Sequence, residues 1–286
     1  TGVFLLYIAI TEGVRSIIAL INKGYLKFSL DSKKIETLMY EKRLLIKGPK
    51  IVVIGGGTGL STMLRGLKYY TSNITAIVTV ADDGGGSGDL REDLGILPPG
   101  DIRNCILALA DTEPLMEDLL QYRFKDGRLK NQSFGNLFLA AMDGISNNFE
   151  EAIKKVSSVL AVTGKVVPVT LDNMVLKAKL KNGNIVKGES NIPEEVIKQK
   201  SRIDRMFIEP EYAKAVDDAV SAIREADAII LGPGSLYTSV IPNLLVKDIS
   251  RELEKSHALK IYVSNIMTQP GETEGYTVSD HIKAIF

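Results

Sequence analysis

Lys50–Asp89 reads KIVVIGGGTGLSTMLRGLKYYTSNITAIVTVADDGGGSGD. The run Ile51–Ile54 is short, apolar and β-branched, the pattern of a strand buried on both faces of a parallel sheet. Gly55-Gly56-Gly57-Thr58-Gly59 follows at once, and Leu60, Met63, Leu64 and Leu67 then recur at helical spacing. A strand that turns through glycines into a helix aims free backbone N–H groups and a positive dipole end at one point. Phosphate fits there, because glycine lets the backbone approach without a Cβ in the way. The next strand, Ile74–Val80, runs into Asp82-Asp83 and Gly84-Gly85-Gly86. Two carboxylates beside the first loop could read ribose hydroxyls or hold a divalent cation. The plain alternative is a tight turn with no ligand.

A dinucleotide site of the Rossmann type fits this stretch imperfectly. Its G-x-G-x-x-G fingerprint needs a third small residue where Leu60 stands, and its single acid is here a pair set among glycines. Generic nucleotide or phosphate binding is therefore the expectation, ahead of NAD.

The rest of the chain extends the same layout. Asp101 is placed to cap a helix over Ile102–Ala110, which carries Arg103 and Asn104 in its first turn. A cation there opposes the helix dipole and implies a carboxylate or phosphate partner. Ser133-Phe134-Gly135-Asn136 opens another helix. Residues 164–208 read as a small β-rich insert, with extended segments at Val166–Leu171, Val175–Leu180, Ile185–Ile192 and Arg202–Ile208 and a hairpin signal at Asn182-Gly183. Helix returns over Glu211–Ala226. A buried strand, Ala228–Leu231, then meets a second glycine and hydroxyl loop holding Gly234, Ser235, Thr238 and Ser239. Two such loops after parallel strands argue for a shared crevice. A third polar loop, with Asn265 and Thr268, follows the strand Leu259–Ser264. His281 reads as a capping or solvated residue of a final helix.

Composition narrows the class. The 286 residues are 45% hydrophobic and 24% charged, with zero formal net charge, so nothing global favours nucleic acid. One cysteine excludes an internal disulfide and fits a reducing compartment, and its apolar neighbours make Cys105 a core residue. With two histidines and one cysteine, zinc is disfavoured. Val3–Ile21 is mostly apolar but carries Glu12 and Arg15. It reads either as the end of a membrane span continuing into an interfacial helix or as a soluble amphipathic helix. Residues 1–49 are thus an N-terminal segment and linker, with the nucleotide-binding domain over 50–286. The expected location is the cytoplasm, with membrane attachment through the N-terminal segment and homo-oligomerisation both left open.

Six blocks, GGGTGLS, VTVADDGG, PPGDIRN, SFGNL, LGPGSLYTSVIPNLL and NIMTQPGETEGYTVSDH, resemble the signature blocks of the CofD-like family. They are most similar to its YvcK group, the provisionally named gluconeogenesis factors. The resemblance implies an α/β fold, a Rossmann-like three-layer parallel sheet with the ligand across the strands' carboxyl ends. CofD itself is a magnesium-dependent transferase moving a phospholactyl group to a deazaflavin. The YvcK group binds UDP-sugars and is linked to carbon metabolism, cell shape and cell-wall synthesis. The resemblance gives ligand-binding roles to Gly56, Gly57, Thr58, Gly59 and Leu60, to Asp82, Asp83, Gly84 and Gly85, and to Asp101, Arg103, Asn104 and Asn136. It extends them to Gly234, Ser235, Thr238, Ser239, Asn265 and Thr268. Gly86 and Gln132 depart from it, standing where relatives have serine and histidine. Relatives also run on past Phe286, in a part that helps form the sugar-nucleotide pocket. No histidine, cysteine or lysine base recurs beside the loops, so no catalytic residue or metal ligand is assigned. The implied ligand is a UDP-sugar, with Mg²⁺ a candidate cofactor.

Overall fold

The computed structural model describes residues 42–112 and 114–286, together with residues 2, 10–12 and 40. They fall into two units, Thr1–Lys47 and Gly48–Phe286. Most of the N-terminal segment, including the apolar stretch Val3–Ile21 apart from residues 10–12, lies outside the described residues. Among those described, no helix is long and apolar enough to cross a membrane.

The second unit is built on a five-stranded parallel sheet. Its strands are β1 (Ile51–Gly55), β2 (Ile74–Val78), β3 (Lys165–Pro168), β7 (Ala228–Leu231) and β8 (Leu259–Tyr262), in the order β3-β2-β1-β7-β8. Val53, Ile54, Ile77 and Val78 are fully buried, as a strand covered by helices on both faces requires. One helical layer comprises α1 (Gly57–Leu67), α3 (Gly100–Leu109), α5 (Phe134–Gly144) and α6 (Phe149–Val159). Its central member α3 packs on α1, β2 and β3, and buries Ile102, Ile106 and Leu109 completely or nearly so. Between these helices run α2 (Gly85–Leu94) and α4 (Pro114–Gln121). The other layer holds α8 (Asp217–Glu225), packed on β2 and β3, and α10 (Lys247–Lys255) beside it. The fold is the expected three-layer α/β sheet.

A separate antiparallel sheet carries β4 (Val175–Leu180), β5 (Ile185–Lys187) and β6 (Ile203–Glu209), in the order β5-β4-β6. Leu176, Ala178 and Leu180 are fully buried and alternate with Lys177 and Lys179, the two-residue period of a half-buried strand. Its hairpin turns at Asn182-Gly183, where Gly183 has φ +93° and Asn184 N–H donates to Asn182 Oδ1 at 3.0 Å.

The first extended segment expected in the insert, Val166–Leu171, is instead β3, which pairs with β2 in the parallel sheet, so the separate sheet begins only at Val175. Further boundaries also differ from the sequence reading. The extended segment Ile185–Ile192 stops at Lys187, and Asn191–Lys198 forms a helix, α7, with Ile192 fully buried. Ile192 and Val196 are four apart, a helical period too short to stand out among neighbouring strands. The helix expected from Glu211 begins only at Asp217, because Val216 is extended (ψ 144°) and Ala215 bridges Thr170.

Candidate functional site

The strand order reverses direction between β1 and β7. Loops leaving these two neighbours diverge, and the crevice at their carboxyl ends is where open α/β sheets take ligands. The loop after β1 enters α1 with Gly57 at φ +71° and Gly56 as an N-cap that offers no side-chain hydrogen bond. No acid sits in the first turn of α1 itself, and the carboxylate that meets its dipole end comes from another helix. Thr58 is exposed, and its carbonyl accepts from the hydroxyls of Ser61 and Thr62, each at 2.9 Å.

The two loops touch. A Cβ on Gly59 would lie 2.9 Å from the Pro233 carbonyl oxygen and 3.2 Å from Gly234 N, and one on Gly234 would lie 3.1 Å from Gly56 O. Asn243 locks the pair from below, its fully buried amide donating to Gly55 O (3.2 Å) and Ser239 O (2.8 Å). Beyond Gly234 the chain makes one π-helical turn, Leu236–Val240, leading into α9 (Ile241–Leu244). The buried carboxylate of Glu272 accepts from Tyr237 N (2.9 Å) and the Thr238 hydroxyl (2.8 Å). Burial nonetheless holds its pKa above the ordinary glutamate value. Asn265 brackets Gly234, accepting from its N–H at 3.2 Å and donating to its carbonyl at 2.9 Å. Gln269 donates to Ser235 Oγ at 2.8 Å. The third loop therefore braces the second.

The acidic pair divides. Asp82 lies beside the crevice, with Oδ1 accepting from Gly84 N at 3.0 Å. Gly84 N-caps α2, and Gly85, at φ +47°, begins it. Asp83 turns to the antiparallel sheet, accepting from Glu189 N and Ser190 N, both at 2.9 Å. Asp101 departs from its expected capping role. Pro99 occupies the N-cap of α3, Asp101 lies inside the helix, and its carboxylate accepts the backbone N–H of Gly57 across the crevice. Burial first, then repulsion by Asp82, pushes its pKa up to about 6.

Arg103 donates to Ser133 Oγ and, at 2.7 Å, to Asn104 Oδ1, while its Nε is buried with no partner. Burial lowers its pKa. Ser133 caps α5 by accepting from Asn136 N at 3.1 Å, and Asn136 Oδ1 is buried with no partner. Leu60 is fully buried with its methyl groups against Gly55, so its side chain belongs to the core. Thr268 is exposed on the third loop. His281 is buried, with Nδ1 2.9 Å from Thr277 O, because Thr277 and Asp280 form the capping box of the last helix, α11 (Val278–Ile285). Cys105 is fully buried, and burial drives its thiol pKa up.

Sequence reasoning passed over Glu189, Asn243 and Glu272. Glu189 faces Asp82, Asp83, Asp101 and Thr238, and desolvation with repulsion by Asp82 pushes its pKa up to about 8. It lies in the insert, far from any glycine loop in sequence, with no local mark. Asn243 and Glu272 sit inside the quoted blocks, Asn243 nine residues past Gly234 and Glu272 directly after Gly271. Among the described residues, no three histidine, cysteine or acidic side chains are arranged to hold a metal ion. What Asp82 and Asp101 offer Mg²⁺ is the right chemistry, oxygen ligands, but one or two carboxylates rather than a cage. Magnesium is commonly held that way when phosphate oxygens complete its shell.

This architecture defines a three-layer α/β protein whose two glycine loops meet at its switch point, and comparison with known proteins narrows the class. Residues 51–286 match the family model described as 2-phospho-L-lactate transferase CofD, and the chain belongs to the CofD family. Within it, a protein of Clostridium acetobutylicum provisionally named gluconeogenesis factor is 78% identical over 284 residues, 99% of this chain. The Bacillus subtilis protein named gluconeogenesis factor is 55% identical over 238 residues, covering 83% of this chain and 74% of its own. A crystal structure of a Bacillus halodurans protein superposes with a TM-score of 0.80 at 51% identity, over 83% of this chain and 76% of that one. The chain spans 63% of the length of the Clostridium relative.

Proposed function

We propose that this chain is a nucleotide-sugar-binding regulatory protein. It takes a UDP-sugar such as UDP-N-acetylglucosamine into the crevice and couples its level to carbon metabolism, cell shape and cell-wall synthesis. The observation that carries this reading is the close approach of two glycine loops at the switch point. The glycines leave the backbone of both loops uncovered, and a diphosphate that reaches the N-terminus of α1 there takes the place of the Asp101 carboxylate on Gly57 N–H. Asp82, at the end of β2, is in the ribose-reading place of such folds. The naming of relatives as gluconeogenesis factors supports the metabolic side. A cytoplasmic location, with attachment to a membrane through the N-terminal segment, and self-association belong to the same proposal.

A second reading is favoured by the description of the family model and by the coupled carboxylates of Asp82 and Asp101. It makes the chain a magnesium-dependent transferase of a phospholactyl group to a deazaflavin. Bound magnesium would neutralise the diphosphate, and this chain's loops would orient it. Calorimetric titration with UDP-N-acetylglucosamine, GDP and NAD, each with and without Mg²⁺, separates the two. Uridine-selective, metal-independent binding upholds the regulator. Mg²⁺-dependent preference for GDP, with turnover abolished by Asp82→Asn, moves the assignment to the transferase. Binding of none of them removes both.

A further inference from the structure

Asp83 stands in a stretch read as ligand-binding, yet both its oxygens are spent on another part of the fold. Oδ2 accepts from Glu189 N and Oδ1 from Ser190 N, each at 2.9 Å, across 106 and 107 residues of sequence. The contact is built tightly. Gly188 takes φ +99°, a Cβ there would fall 2.7 Å from Asp83 Oδ2, and its N–H donates to Leu176 O of β4 at 2.9 Å. Ile192 N–H in turn donates to Gly188 O at 3.2 Å, carrying the anchor into α7. The turn therefore lies on the acidic loop, with the Glu189 side chain facing Asp82, Asp101 and Thr238. The hydroxyl hydrogen of Thr238 is already given to Glu272.

We propose that Asp83 is a positioning residue that plants the insert's turn on the crevice, and that Glu189, so held, recognises a hydroxyl of the ligand's sugar beyond the diphosphate. The inference rests on the nucleotide-sugar reading above. A carboxyl group crowded by two others holds its proton, and with one O–H donor and a carbonyl acceptor it is well matched to the hydroxyl groups of a sugar. Asp82 occupies the ribose-reading place, while Glu189, on a different element and opposite Thr238, is left for the hydroxyls further out. The small β-sheet then contributes a specificity group to the parallel-sheet crevice rather than packing beside it.

Two measurements on the full chain test this. Hydrogen exchange without ligand reads the anchor: in Asp83→Ala the amides of Glu189 and Ser190 should exchange at least about tenfold faster, with Asp83→Asn, which keeps one acceptor oxygen, in between. Unchanged exchange in Asp83→Ala overturns the anchor. Calorimetry with UDP and UDP-N-acetylglucosamine reads recognition. Glu189→Ala and Asp83→Asn should weaken the sugar-bearing probe about tenfold while leaving UDP within about twofold. Equal weakening of both probes would reduce the turn to a structural support and overturn the role of Glu189. If the unsubstituted chain binds neither probe, the nucleotide-sugar reading and Glu189's part fall together, while exchange still decides Asp83's. Should Asp83→Ala not fold, Asp83→Asn and Glu189→Ala carry both measurements.

Discussion

Gly59 and Gly66 lie on one helix, α1, and replacing each with alanine should move stability in opposite directions. Alanine is favoured over glycine in a helix by up to about 1 kcal/mol, because glycine loses more backbone freedom on folding. A Cβ on Gly66 meets nothing within 4 Å, so Gly66→Ala should gain most of that. A Cβ on Gly59 would meet three backbone atoms of the second loop, at 2.9, 3.0 and 3.2 Å. Backbone cannot swing aside as a flexible side chain can, and forcing a methyl group into a close-packed contact costs about 1–3 kcal/mol. The propensity gain applies to both variants and cancels in their difference. That difference, about 1–3 kcal/mol in favour of Gly66→Ala, isolates the contact between loops. Urea unfolding followed by circular dichroism gives it from the shift in midpoint at constant slope. If both variants stabilise the chain equally, the loops are not in contact and the crevice floor has been drawn wrongly.

Asn243→Ala should cost about 1–2 kcal/mol, since it takes a donor from two buried carbonyls, Ser239 O and Gly55 O, the latter keeping Thr79 N–H; thermal unfolding reads it. Asp101 titrates higher in the folded chain than the ordinary carboxylate value of 3.8, so the folded state holds its proton longer. This group alone should therefore lower stability by at most about 3 kcal/mol as pH rises from about 4 to about 6, and in urea midpoints Asp101→Asn should make that fall shallower while the part owed to Glu189, which runs on to about pH 8, remains. Gly86→Ser should exceed Gly86→Ala in stability by about 1 kcal/mol, because Gln132 Oε1, 2.7 Å from a Cβ there, is buried without a donor. In a Gln132→Ala background the advantage should vanish, as a double-mutant cycle in urea would report.

The sheet was legible because its signal is local. Four-residue β-branched runs ending in glycine mark β1, and similar short apolar runs mark β2 and β7, whatever surrounds them. Departures arise where a distant partner decides. Asp101 has the composition of a cap, but its carboxylate answers an N–H 44 positions earlier, on Gly57. Arg103 reads as a phosphate ligand because its helix position is unfavourable, and the hydroxyl that it meets is on Ser133, at the start of another helix. Asp82 and Asp83 are indistinguishable in sequence. Only the packing of the insert turns one toward the crevice and the other away. Residue chemistry located the crevice's surroundings, and three-dimensional pairing assigned the members.

The central place of β1, with β7 on its far edge, also sets an order of assembly. Strand β1 pairs with β2 23 residues downstream, but its other edge waits for Ala228–Leu231, 177 residues downstream of Ile51–Ile54. On a ribosome adding roughly 5–20 residues per second, that edge stands open for on the order of ten seconds or more. During that interval β1–β3 can form a half-sheet with one bare hydrophobic border, the kind of edge that recruits other chains. The step that closes the border also brings the second glycine loop onto the first. A nascent chain therefore has no crevice to offer a ligand until the moment its most aggregation-prone edge is sealed.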